Sequence, residues 1–242
     1  GTLSIHITLP IGKTITMAYA DEFKSLTSTS GKFTNIELTG YLAGALSKVS
    51  KSLANNSQFD IVSFVVNEMS ESIARFLEKE LLHGSDSKVD GLKGVTISVT
   101  AAAESAVTMD EIITLKDKVK DAFQAKAVFI MNSATRTALR LLKDGNSRYL
   151  MQDDITSPFG TTLLGKPVYV SDQMDGMEKG KTAIYYGDMS GLAVKLSEDA
   201  SVQVLQERYA DEHAIGVIAW MEFDAKVENA QKIAKLVMKT SD

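Results

Sequence analysis

Cysteine is absent from the chain, which excludes disulfides, thiolate zinc clusters and thiol nucleophiles. No apolar run approaches the roughly 18 to 20 residues that span a bilayer, and the first residues lack the basic and apolar regions of a signal peptide. A soluble protein, intracellular at synthesis, is therefore expected. The chain opens on Gly1 without a Met, so an N-terminal segment is expected to have been removed or omitted. Basic residues are also in short supply: 26 Lys and Arg against 31 Asp and Glu give a formal net charge of −5. Phosphate neutralisation needs clustered Lys and Arg, so a generic nucleic-acid binder is excluded, although a local basic patch stays open. What is present is a chain of 242 residues, 44% hydrophobic and 24% charged. That suffices for one large globular unit or two modest subdomains sharing a core, held by packing or assembly.

The pattern of apolar residues places the elements. Leu3, Ile5, Ile7 and Leu9 alternate with polar residues, and after Pro10, Ile11 and Gly12 a second set follows at Ile15, Met17 and Tyr19; both read as strands. SLTSTSG, Ser25 to Gly31, is a turn, and the chain returns through Phe33, Ile36 and Leu38. This is a long β-hairpin arm whose outward limb spans on the order of 50 Å at ~3.3 Å per residue. Such a ribbon is marginal alone, so it must lie on its own domain or on a neighbour. Gln58 to His83 carries Val62, Val65, Val66, Met69, Ile73, Phe76, Leu77 and Leu81 at helical spacing, with Ser57 as N-cap and Gly84 as stop. At ~1.5 Å per residue this spine is roughly 39 Å long.

Downstream, GLKGVTISVT (residues 91–100) reads as a strand, and Thr108 with Glu111 forms a capping box for a helix that buries Ile112, Leu115, Val119 and Phe123. AVFIMN is a buried strand, Ser133 to Leu142 a helix, and residues 143–162 a loop. LLGKPVYVS, TAIYYGD, GLAVKL, SVQVLQE and AIGVIAWMEFDAKV complete the strands. Strands and helices are interspersed without a regular βαβ repeat, which gives an α+β class.

Several stretches invite a chemical reading. GMEKGKT, Gly176 to Thr182, has the glycines, Lys and Thr of a phosphate loop. Three residues instead of four separate its glycines, however, and a strand follows where a helix N-terminus is needed. It reads as a hairpin turn, and IGKT at Ile11 to Thr14 lacks the upstream glycine altogether. His6, His83 and His213 match no metal spacing, and His83 sits where a cation meets a helix C-terminus. Asp153 with Asp154, and Asp172 with Asp175, read as turn acids, and DQMDGMEKG lacks the ligands of a calcium loop. Trp220 reads as core. In LLKDGNSRYLM, Leu141 and Leu142 are expected to finish a buried helix face. Asp144 and Gly145 turn the chain there, Tyr149 and Leu150 anchor the next loop, and Lys143 and Arg148 stay exposed. No catalytic, cofactor-binding or metal-ligating residue is assigned.

The ordered set FIMNSATRTALRLLKDGNSRYL, LLGKPV and YGD resembles the major capsid proteins of tailed bacteriophages with the Hong Kong-97 type of shell fold. The matching positions are Asn132, Leu142 to Asp144, Arg148 to Leu150, Leu163 to Val168, and Gly187 with Asp188. Upstream, the arm looks like that family's extended loop and Gln58 to His83 like its spine helix. Ser147 departs from the pattern, standing where relatives often carry Gly, with Gly145 two residues earlier. Some relatives cross-link subunits through Lys and Asn. Lys24 and Lys32 flank the arm's tip, but no acceptor Asn is matched.

The resemblance implies an arm over residues 1–42, a peripheral subdomain over 43–106 and 200–242, and an axial subdomain over 107–199. It also implies pentamers and hexamers in an icosahedral shell, assembled in the bacterial cytoplasm and ending in the virion. Implied partners are a scaffolding segment, portal and maturation protease. The DNA is enclosed without sequence-specific binding, and neither membrane nor cofactor is involved. Two alternatives stay open: an encapsulin-like compartment on the same fold, and a nucleotide-binding enzyme built on GMEKGKT.

Overall fold

A computed structural model describes residues 7–12, 33–56, 60–151 and 162–240. In chain order the elements are β1 (Ile7–Gly12), β2 (Phe33–Leu38), β3 (Tyr41–Ser50), α1 (Lys51–Asn56), α2 (Ile61–His83), β4 (Ile97–Thr100), α3 (Met109–Asp117), β5 (Val128–Met131), α4 (Ser133–Arg140), β6 (Thr162–Leu163), β7 (Lys166–Val170), β8 (Thr182–Gly187), β9 (Leu192–Leu205), β10 (Ala214–Val227) and β11 (Ile233–Val237). They form three sheets: an antiparallel β1-β2 ribbon, a three-stranded sheet ordered β3-β10-β9, and a six-stranded sheet ordered β4-β11-β8-β5-β7-β6. Parallel pairs (β4 with β11, β5 with β7) sit beside antiparallel ones without a regular βαβ repeat, consistent with the α+β class.

The ribbon is the base of the expected arm. Its first strand runs through Pro10, which faces Asn35 across the pair, where the sequence pattern suggested a break. A two-stranded ribbon has open edges, and there Pro sacrifices no ladder bond. The turn expected at Ser25 to Gly31, the strand at Ile15 to Tyr19, and His6, Lys24 and Lys32 lie outside the described residues.

The six-stranded sheet is buried on both faces, which explains the continuous apolar run AIYY in β8. Ile184 and Tyr186 face a cluster containing Ile112 and Leu115 of α3, Leu139 of α4, Phe129 and Met131. Tyr185 faces the other side, among Leu82 of α2, Leu92, Val95 and Ile233. The capping box that opens α3 forms as expected: the Glu111 backbone N–H donates to Thr108 Oγ1 at 3.3 Å, and the Thr108 N–H donates to the Glu111 carboxylate at 2.8 Å.

Helix α2 spans the two sheets. Met69 packs on Val217 and Ala219, and Ile73, Leu77 and Leu81 pack on Met221, Phe223 and Ala225 of β10. Its last turn then enters the second sheet's core through Leu82. At 23 residues it is about 35 Å long at ~1.5 Å per residue. It begins later than expected: Asp60, not Ser57, is the N-cap, and its carboxylate accepts from the Ser63 N–H at 3.0 Å. Residues 57–59 lie outside the described set. At the other end Gly84 (φ 61°) and Gly91 (φ 55°) press backbone against backbone. A Cβ on Gly91 would lie 2.4 Å from the Glu80 carbonyl oxygen, and one on Gly84 2.3 Å from that of Asp90. This close passage converts the first part of GLKGVTISVT into a 3-10 turn over Gly91–Gly94, so the strand starts only at Ile97.

GLAVKL and SVQVLQE form one strand instead of two. β9 continues through the polar Ser197 to Ala200 because register shifts against β10 near Trp220 and Glu222 absorb the irregularity. It thereby crosses the 199/200 boundary, and β4 and β11 join β5 to β8 across the 106/107 line. In β8 the final residue, Gly187, has φ 146°, and a Cβ there would fall 2.0 Å from the Lys232 carbonyl oxygen. Gly187→Ala is expected to destabilise the protein by about 3 kcal/mol or more, since strain and a backbone clash combine. Urea unfolding measures it, and an unshifted midpoint would show that β8 and β11 are not held this closely.

Candidate assembly site

The segments that carried the resemblance are turns and caps with their polar groups consumed internally. Asn132 caps α4, accepting from the Thr135 N–H at 2.7 Å. Asp144 organises the next turn: its carboxylate accepts from the Asn146 N–H (2.8 Å) and the Arg148 N–H (2.9 Å). The Asp144 N–H in turn donates to the Arg148 carbonyl at 2.8 Å, and Lys143 bridges to Tyr149. Ser147 adopts φ 62°, the left-handed conformation that favours glycine, so the turn keeps its shape despite the departure from Gly. Leu164 (φ 49°) and Gly165 (φ 73°) form a two-residue hairpin between β6 and β7, with left-handed residues at both central positions. This is the reason for Gly in LLGKPV.

Gly187 and Asp188 close β8. Burial pushes the Asp188 carboxyl up, but hydrogen bonds from the Ser190 backbone and side chain, with Lys232 and Lys126 nearby, outweigh it and hold the group below its usual range. Gln124, which the sequence pattern did not single out, is a hub for the same subdomain. Its amide donates to the Lys116 and Val119 carbonyls at 2.9 and 2.7 Å, and its side-chain oxygen accepts from the Tyr186 hydroxyl.

Around LLKDGNSRYLM the apolar expectations are corrected. Leu141 is 60% exposed, and Tyr149 and Leu150 are also exposed, whereas Met151 is the residue that reaches the core. α4 ends at Arg140, so Leu141 falls beyond the helical face that α4 buries, and only Leu142 packs against that core. Lys143 and Arg148 are exposed, the first over the Tyr149 ring and the second 3.5 Å from Asp144.

The stretches with chemical promise stay apart. In GMEKGKT the N–H groups of Glu178, Gly180 and Lys181 all donate to carbonyls, and strand β8 follows directly. It is a turn, but not the hairpin turn expected, because β5 lies between β7 and β8 in the sheet. Ile11 and Gly12 of IGKT lie in β1, while Lys13 and Thr14 lie outside the described residues. His83 ends α2, with Nε2 at 2.5 Å from the Gln173 carbonyl and Nδ1 3.7 Å from Asp175. His213 sits at φ 50° in the turn before β10. Asp172 is exposed, and Asp153 and Asp154 lie outside the described residues. No group of three or more His, Asp or Glu suited to a metal occurs among the described residues, and no described helix is long and apolar enough to cross a membrane.

The surface that stands out is the three-stranded sheet. Val217, Ala219, Met221, Phe223 and Ala225 of β10 face α2, so Trp220 between them points to the opposite face. It is 42% exposed and is not core as expected, because among the described residues no helix covers that face as α2 covers the other, and the root of the arm covers it only beside Asp224. Its partner in register is Gly44, where a Cβ would lie 2.5 Å from the indole, so the ring lies flat across β3. On either side Leu42 (62% exposed) and Leu46 (49% exposed) pair with Glu222 and Ile218 and share the Trp220 face. Val194, Leu196 and Val204 on β9 are exposed too, but they pair with Ala225, Phe223 and Val217 and so lie on the α2 side of the sheet; among the described residues β3 and β9 are its edge strands. Contiguous exposed apolar side chains beside unpaired strand edges mark an association surface.

The arm leaves from this sheet. Thr39 and Gly40 alone separate β2 from β3. The Thr39 N–H donates to Asp224 Oδ2 at 2.9 Å, and Lys195 Nζ donates to the Leu38 and Thr39 carbonyls at 3.3 and 3.0 Å.

Stiff turns, a buried two-sheet core and exposed apolar faces describe a structural protein built to associate. A profile described as the phage capsid family matches residues 3–238, and the chain belongs to that family as a structural capsid subunit. Solved structures share the fold. The capsid chain of a native GTA particle superposes with a TM-score of 0.82 at 21% identity, covering 99% of this chain and 86% of that one. A chain from Microbacterium phage Oxtober96 gives 0.73 at 15% identity over 98% and 86%, and one from Mycobacterium phage Adephagia 0.70 at 12% over 100% and 87%. No curated protein sequence matches.

Ser147→Gly relieves a left-handed L-residue and is expected to stabilise the protein by about 1 kcal/mol. Thermal unfolding measures the gain, and a loss of stability would show that the Ser147 side chain, not its backbone, shapes the turn.

Proposed function

We propose that this chain assembles into the pentamers and hexamers of an icosahedral shell around a phage or prophage DNA genome, with no catalytic step of its own. The observation that carries the reading is the exposed Leu42, Leu46 and Trp220 face beside the root of the β1-β2 ribbon. A ribbon of two strands needs a support, and an exposed apolar sheet face needs a cover. Placing the arm of one subunit on the sheet of the next satisfies both. Repeated around a ring, this head-to-tail contact closes, and many modest contacts add to a durable wall.

On this reading the six-stranded sheet with α3 and α4 forms the axial body, and its exposed Leu141, Tyr149 and Leu150 meet copies near the ring axis. The three-stranded sheet with α2 forms the peripheral body. A scaffolding segment, portal and maturation protease complete assembly in the host cytoplasm, and the product is the virion. The net charge of −5 suits a wall that holds DNA without binding it.

Two experiments test this. Replacing residues 13–32 by a two-residue turn spares the buried Leu38, and is expected to leave a folded subunit that no longer forms shells in negative-stain micrographs. Retained shells would remove the arm from the contact. Trp220 is the only tryptophan in the chain. Its emission should shift to the blue on assembly, and Trp220→Ala should raise the concentration needed for shells about tenfold. Emission unchanged between subunits and shells would mean that this face stays wet.

A further inference from the structure

The root of the arm is gripped by two opposite charges that its own sheet presents side by side. Asp224 on β10 and Lys195 on β9 are partners in register. Phe223 and Ala225 face α2, so Asp224 between them faces away from it, toward the chain leaving β2. Asp224 is fully buried. Its Oδ2 accepts from the Thr39 N–H at 2.9 Å and lies 3.5 Å from the Thr39 hydroxyl, and its Oδ1 accepts from the Ala225 N–H at 2.8 Å. Lys195 takes the other polarity of the same segment, donating to the Leu38 carbonyl at 3.3 Å and the Thr39 carbonyl at 3.0 Å. Leu38 itself is buried. The next residue, Gly40, has φ 119°, a conformation that L side chains rarely adopt. A Cβ on it would fall 2.6 Å from Glu222 Oε1.

A fixed point and a pivot therefore stand next to each other: three backbone polar groups of Leu38 and Thr39 are clamped, and Gly40 supplies the turn into β3. We propose that Asp224 and Lys195 form a latch that holds the arm at one angle to its sheet, with Gly40 as the hinge about which the arm swings when the latch is open. Charged partners suit the task. Hydrogen bonds to ionised groups are stronger than neutral ones, and a buried carboxylate stripped of a partner is costly, so the closed state is sharply favoured. Opening breaks only the contacts of Leu38 and Thr39, because Gly40 already permits torsions that another residue resists. The latch sets the arm's direction before a neighbour is met, which lowers the ordering cost of association. The value of this for assembly rests on the reading of the arm given above; the latch itself does not.

The test exploits the absence of cysteine. Thr34→Cys on β2 and Gln206→Cys beyond β9 take nitroxide labels, and pulsed spin-resonance distances report the arm's angle in the otherwise intact chain. The labelled parent should give one narrow distribution. Lys195→Met keeps the aliphatic stem and removes the ammonium; Asp224→Asn keeps the shape and removes the charge. Each is expected to widen the distribution at least twofold and to speed amide exchange at Thr39 about tenfold, with protection in β8 and β11 unchanged. Unchanged width and exchange in both variants overturn the latch. Widening with slower shell formation supports both the latch and the role of the arm. Widening with normal shell formation supports the latch and counts against the arm as the assembling element.

Discussion

Everything in the subunit hangs on the way the last turn of α2 enters the six-stranded sheet. The helix lies along β10 by its middle turns, a contact that alone would leave the two sheets joined only by connecting chain. At its end Leu82 is buried among Leu92, Val95, Tyr185 and Ile233, and the Tyr185 hydroxyl donates to the Leu82 carbonyl at 3.1 Å. That carbonyl belongs to the last helical turn, where carbonyls lack a partner within the helix. Burial pushes the Tyr185 phenol up to about 12, so the group remains a proton donor across any ordinary pH. Gly84 and Gly91 then let two backbones touch where side chains would hold them apart. The two sheets are thus packed together through the end of α2.

That packing fits a protein whose work is done by surfaces. In a catalyst, strain and buried polar groups converge on a pocket. Here the left-handed residues Ser147, Leu164 and Gly165 sit at turns and Gly187 ends a strand, and the polar hubs Asp144, Gln124 and Asp188 spend their capacity on nearby backbone. Among the described residues, exposed apolar side chains gather on the three-stranded sheet, whose outer strands are edges. A flat indole over a glycine offers a large contact area at little entropic cost when a partner arrives.

The sequence pattern revealed much of this where a local rule decides the outcome. The capping box at Thr108 and Glu111, the cap at Asn132 and the buried strand at Val128 to Met131 follow from spacing and side-chain chemistry. The family resemblance was legible for a related reason: its short motifs are turns and caps, whose residues backbone geometry dictates. Trp220 was misplaced because alternation within β10 says that it opposes Ala219 and Met221, not which face the chain will cover. Leu141 was misplaced because α4 stops at Arg140, two residues before the expected end at Leu142. The continuity of β9 depends on bulges opposite β10, which a single strand's sequence does not display. Asp224 and Lys195 gave no signal at all, since nothing local marks two residues that meet only across a sheet and hold a segment 185 positions away from Asp224.

The arrangement also has a mechanical side. β10 is paired along most of its length with β3 on one side and with β9 on the other, and the chain then continues into β11 of the second sheet. A tug on the arm arrives at Thr39, passes to Asp224 in this central strand, and spreads sideways into both neighbours before it reaches the other half of the molecule. The load is shared among many ladder bonds instead of falling on one. In the subunit, β10 is thus the tie rod between its neighbours and the second sheet.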